Sequence, residues 1–204
     1  QNIQNLKQKI ITKYNLTDIV VDLLISRGFD SEEKIEHFLT PTEKDFYDPF
    51  LLSGMDKLVA RVNKAIEKNE KVLIFGDYDV DGVSASAILI KYFASKKFYV
   101  DYFLPNRYVD GYGLTNASIL NIKQKYNPNL IITVDCGISC YEEVEYAKTL
   151  GIDIIITDHH DIPEKIPNTI VVNAKLPNQK YPFNALCGTG VAFKIVQALS
   201  DLNE

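Results

Sequence analysis

In 204 residues there is no apolar run approaching the ~18 residues that a membrane-spanning helix needs, which excludes an integral membrane protein of that kind. Residues 1–13 lack the basic start, apolar stretch and small-residue cleavage site of a secretory signal. They also lack an initiator Met, and the end at Asp201-Leu-Asn-Glu204 is abrupt, so a fragment cut from a longer chain is expected. Cysteine is scarce. Cys136, Cys140 and Cys187 are odd in number, and their Cys-x3-Cys spacing has no partner ligands, which argues against both a disulfide framework and a zinc site. A reducing cytoplasm is the expected setting. Positive charge is also in deficit, with 22 Lys and Arg against 27 Asp and Glu, a net charge of -5 and a pI near 5.3. That balance argues against a surface coated with nucleic acid, but it leaves room for a local basic groove. Internal repeats and low-complexity tracts are absent as well.

What is present is a soluble composition, 46% hydrophobic, with enough chain to bury a core. Two textures meet near residue 70. Before it, apolar spacing predicts short helices over 17–27, ending at Gly28, over 30–38, ahead of Pro41, and over 55–68. After it, β-branched runs alternate with amphipathic stretches. Strands are expected over 72–75, 99–104, 130–134, 152–157 and 169–172, with helices over 84–93, 115–126, 141–150 and 191–202. This alternation predicts an α/β fold, a mostly parallel sheet flanked by helices on both faces, with a small helical N-terminal region. The expected division is 1–54 for the helical region and 55–204 for the α/β domain.

Three of these strands run into acidic clusters: Asp77-Tyr-Asp-Val-Asp-Gly82, Asp135-Cys-Gly137, and Asp158-His-His-Asp161. Parallel strands would bring all three to one edge of the sheet, where open α/β folds bind ligands. Crowded carboxylates cannot all stay ionised without a cation among them. An oxygen-rich set with an imidazole suits Mn²⁺ or Mg²⁺ better than zinc, and two such ions can clamp a phosphoryl displacement. The bland alternative for any single cluster is an Asp capping the next helix. A calcium loop is excluded, since the twelfth position from Asp77 is Ile88 where a Glu is required.

The three clusters, in this order, resemble the first three motifs of the DHH phosphoesterase family. The segments Leu104-Pro-Asn-Arg-Tyr-Val-Asp-Gly-Tyr-Gly-Leu114 and Gly188-Thr-Gly-Val-Ala-Phe-Lys194 are similar to those of its bacterial exonucleases specific for single-stranded DNA. The resemblance implies a two-metal site filled by Mn²⁺ or Mg²⁺ that hydrolyses phosphodiester bonds from the 5′ end, in DNA repair and recombination. The implied ligands are Asp79, Asp81 and His159, with Asp135 bridging and Asp77 a further candidate. His160 is implied to contact the scissile phosphate, and Asp158 to hold a histidine in orientation. Arg107 is the candidate phosphate-binding side chain; a surface salt bridge to Asp110 is its alternative. Tyr108 and Tyr112 could stack on bases or simply pack. Gly188 and Gly190 could bring N–H groups to a phosphate or simply turn the chain into a helix. The implied partners are single-stranded DNA, a helicase and a single-strand-binding protein, with the protein itself a monomer. A fourth motif carrying another metal-binding Asp, and the family's second domain, would both follow residue 204, so incomplete metal binding and weak or absent nuclease activity are expected of this chain. Other family activities, on oligoribonucleotides or cyclic dinucleotides, and a non-catalytic replisome scaffold are the alternative readings.

Overall fold

The structure is a computed structural model, and it describes residues 3–106 and 113–201. The chain divides into two compact units, Gln1–Tyr47 and Asp48–Glu204.

The first unit is helical: α1 (Ile3–Tyr14), α2 (Asp18–Ser26) and α3 (Glu32–Leu39). Leu6 and Ile10 of α1, Val21 and Leu24 of α2, and Ile35 of α3 form its buried core. The α2 helix stops where Gly28 turns left-handed at φ +88°, and Ser31 caps α3 by accepting from the Lys34 amide. The α1 helix was not among the sequence-based expectations. Its apolar residues Ile3, Leu6 and Ile10 fall three and four apart, a stripe that the polar residues between them dilute.

The second unit is α/β. It comprises α4 (Met55–Glu67), β1 (Val72–Gly76), α5 (Val80–Ser95), β2 (Val100–Phe103), α6 (Asn116–Lys125), β3 (Leu130–Val134), α7 (Tyr141–Thr149), β4 (Asp153–Thr157), β5 (Ile170–Val172) and α8 (Gly188–Asp201). The five strands are all parallel, in the order β2-β1-β3-β4-β5. Strands β1 and β3 are buried along their whole length, which explains their unbroken apolar runs: alternate residues feed opposite faces. On one face Val72, Ile74, Leu130 and Ile132 pack with Leu58 and Val62 of α4, Leu89 of α5 and Ile195 of α8. On the other, Leu73, Phe75, Ile131 and Ile154 pack with Ile119 and Ile122 of α6 and Val144 of α7.

The strand order reverses direction at the β1/β3 pair. That is the switch point, where the loops after the two strands lead away to opposite faces and leave a crevice at the carboxyl edge. Helix α5 begins at Val80, earlier than the sequence-based start at residue 84, because the acidic loop is itself the helix cap. Among the described residues no helix is long and apolar enough to cross a membrane.

Candidate metal centre

All three acidic clusters converge at this crevice. After β1, Asp77 is buried and accepts the Tyr78 amide at 2.7 Å. Asp79 is the N-cap of α5: its Oδ1 accepts from the amides of Asp81 at 2.9 Å and Gly82 at 3.0 Å. Gly82 is required here, since a Cβ would lie 2.5 Å from the Asp77 carbonyl oxygen.

After β3, Asp135 takes φ +63°, a left-handed conformation that a side chain adopts only at a cost. Its carboxylate is 2% exposed, and Oδ1 has no hydrogen-bond partner. Burial, reinforced by the charges of Asp81 and Asp79, pushes its pKa up to about 7. His159 Nε2 lies 3.1 Å from this same Oδ1, so an imidazole nitrogen and a buried carboxylate oxygen face one point.

After β4, Asp158 is buried and fully engaged. Its Oδ2 accepts the Ile138 amide at 2.9 Å; its Oδ1 accepts the amides of His159 at 2.7 Å and His160 at 3.1 Å, and pairs with His160 Nδ1 at 2.7 Å. Burial works to lower the His160 pKa, but the bond and charge of Asp158 outweigh it and leave it raised. The pairing fixes the ring and leaves Nε2 for other work.

Donor atoms of Asp77, Asp79 and Asp135 lie within 4.8 Å of one another, as do those of Asp135, His159 and His160. Asp135 belongs to both groups. Asp81 stands beside them, its Oδ2 3.6 Å from His159 Nε2, but it is bonded elsewhere: Oδ2 accepts the Gly188 amide at 2.7 Å, and Oδ1 accepts the amide of Thr189 at 2.7 Å and its hydroxyl at 2.5 Å. Burial would raise the Asp81 pKa, but these bonds from Thr189 and Gly188 outweigh it and hold the carboxyl below its usual range. The Gly188 amide therefore goes to a carboxylate of the chain itself, and the Gly190 amide donates to Cys187 Sγ. Gly188 has a second constraint, since a Cβ there would sit 2.4 Å from Asp135 Oδ1.

Several residues that sequence reasoning passed over hold this edge together. Thr133 Oγ1 donates to the Cys136 carbonyl, and Thr157 Oγ1 donates to the Thr133 carbonyl at 2.6 Å, tying the ends of β3 and β4. Asn173, fully buried after β5, donates to the His160 carbonyl at 2.9 Å. Their signal in sequence was only a polar residue ending an apolar strand. Arg107, with Tyr108, Asp110 and Tyr112, lies outside the described residues.

The donor set is carboxylate oxygen and imidazole nitrogen, the chemistry of a hard divalent cation. The orphaned Asp135 Oδ1 fits such an ion directly, since a buried acceptor with nothing to accept is costly. Residues 71–204 match the model of the DHH family, N-terminal domain. The chain belongs to the DHH family. Within the family it is similar to the single-stranded-DNA-specific exonuclease RecJ of Bacillus subtilis (strain 168), 40% identical over 197 residues that cover 96% of this chain and 25% of that protein. The RecJ of Escherichia coli (strain K12) is 34% identical over 179 residues, 87% of this chain and 30% of that one. A crystal structure of exonuclease RecJ bound to manganese superposes with a TM-score of 0.69 at 30% identity, covering 74% of this chain and 38% of that chain. The chain thus spans 25% to 30% of the length of these two curated relatives.

Proposed function

We propose that this DHH domain carries the metal-binding core of a single-stranded-DNA exonuclease that hydrolyses phosphodiester bonds from the 5′ end, with Mn²⁺ or Mg²⁺ as cofactor. One observation carries the reading: Asp135, buried and with an orphaned oxygen, is shared between a carboxylate group from β1 and a histidine group from β4. In the proposed arrangement Asp77, Asp79 and Asp135 would hold one ion, and Asp81 and His159 would hold a second with Asp135 shared between the two. When bound there, such ions would supply charge neutralisation and Lewis acidity for displacement at phosphorus. The chain's residues do the placing. Asp158 locks His160 through Nδ1, so that Nε2 can donate to a phosphate oxygen as charge develops there. Asp79 divides its carboxylate between capping α5 and facing the cluster, which ties ligand position to a helix end. Arg107 is proposed to grip a substrate phosphate with its planar fork. At the scale of the cell, we propose a cytoplasmic monomer acting in DNA repair and recombination with a helicase and a single-strand-binding protein.

The names of the relatives support the substrate, and the manganese in the solved relative supports the metal. The test is degradation of 5′-labelled single-stranded DNA, duplex DNA and short oligoribonucleotides with Mn²⁺, beside the Asp135→Asn variant. Weak but single-strand-selective release that disappears in the variant is expected. Activity that persists in Asp135→Asn, or that prefers oligoribonucleotides, overturns the reading.

A further inference from the structure

Asp81 could face the crevice in many orientations, and the structure shows one. A carboxylate has about four lone-pair directions to offer. Three of them are taken by the first turn of α8: Oδ1 accepts both the amide and the hydroxyl of Thr189, and Oδ2 accepts the amide of Gly188. The Cys187 side chain bonds this carboxylate as well, and Oδ2 is the oxygen that faces the cluster, 3.6 Å from His159 Nε2, on the side where Asp135 lies. The first turn of α8 is itself held firmly, because Val191, Ala192 and Ile195 share one core with Ala85 and Leu89 of α5, the helix that carries Asp81.

Two of the three donors from α8 are backbone amides that any residue would supply. The third is a side chain. The Thr189 hydroxyl lies 2.5 Å from Asp81 Oδ1 and 3.1 Å from the Asp81 carbonyl, so it spans the ligand's carboxylate and its main chain together. A hydrogen bond to an ionised acceptor is short and strong, and it resists rotation of the carboxylate about its Cβ–Cγ bond.

We propose that Thr189 is a positioning residue for the second cation: its hydroxyl fixes the Asp81 carboxylate so that one lone pair of Oδ2 is presented to the point that His159 and Asp135 also face. The proposal rests on the two-cation reading above and extends it to a residue that touches no ion. It also gives the Gly-Thr-Gly segment a role in the metal centre without contact to phosphate. Losing such an outer contact typically costs 10- to 100-fold in metal affinity.

The test is a Mn²⁺ titration followed by EPR of the free aqua ion, which counts bound ions and gives each affinity without reference to turnover. Wild type, Thr189→Val, Thr189→Ser and Asp81→Asn are compared, with metal-free melting temperatures recorded for each. Thr189→Val keeps the shape and both amides, and it is expected to weaken the second ion about ten-fold or more while leaving the first near wild type. Thr189→Ser restores the hydroxyl and is expected to restore the second ion. A merely structural role would weaken both ions together, along with the melting temperature, and the serine would bring no selective rescue; that pattern overturns the proposal. Wild-type affinity for both ions in Thr189→Val overturns it as well. If Asp81→Asn retains two ions of wild-type affinity, or the wild type binds only one, the two-cation reading fails first and the proposal with it.

Discussion

Asp135 combines three costs at one residue: a left-handed backbone, a buried carboxylate and an unpartnered oxygen. Each is destabilising alone, and such strain persists only where the surroundings enforce it. The pH dependence follows. With its pKa near 7 in the fold and the ordinary carboxylate value of 3.8 outside it, Asp135 binds more protons folded than unfolded between about pH 4 and 7. Its contribution to metal-free stability is therefore present at acid pH and lost as pH rises towards 7. Asp135→Asn is expected to remove that slope, so that in EDTA its melting temperature gains on the wild type between about pH 5 and 7.5. The same variant loses the melting-temperature rise that Mn²⁺ brings to the wild type, and that rise is expected to be larger at pH 7.5 than at pH 5, because the ion must displace the proton. Scanning calorimetry with and without Mn²⁺ measures both. Gly188→Ala attacks Asp135 from the other side. Its added methyl would press on Oδ1, so weakened Mn²⁺ binding and a loss of about 1–3 kcal/mol in chemical denaturation are expected.

At the level of elements, strand runs and acidic strand ends were legible because they obey simple rules. Continuous apolar stretches predict buried parallel strands, and a parallel sheet gathers its carboxyl ends on one edge, which is where Asp77, Asp79, Asp135, His159 and His160 meet, while Asp81 stands beside them bonded to α8. What stayed hidden depended on contacts between distant segments. Nothing local in the sequence says that the first turn of α8 receives Asp81 across 107 positions, or that Asn173 reaches back to the His160 carbonyl. Helix α1 was missed for a different reason: its apolar stripe carries weight only once α2 and α3 cover it. Asp79 shows that cap and ligand need not be alternatives, and the two jobs can be separated. Asn caps a helix nearly as well as Asp, so Asp79→Asn should hold its metal-free stability yet bind Mn²⁺ poorly. Asp79→Ala should bind as poorly and lose about 1 kcal/mol besides. Urea melts in EDTA alongside Mn²⁺ titrations separate the two effects.

Considered as a whole molecule, the chain keeps every described candidate ligand in the unit from Asp48 onward, while the N-terminal unit has a core of its own. A chain trimmed to residues 48–204 is accordingly expected to fold cooperatively and to bind Mn²⁺ with the affinity of the longer chain, as circular dichroism and EPR would report. Failure of the trimmed chain to fold would show that the cores are interdependent.

The strand order has a kinetic corollary. Strand β3 must insert between β1 and β4 before Asp135 can meet either Asp79 or His159, so the cation encounters only a nearly finished native state. Manganese should thus leave the refolding rate of the chain almost untouched and act on its escape, slowing unfolding as interactions absent from the transition state do. Stopped-flow chevrons with and without the ion would show one arm shifted and the other superimposed.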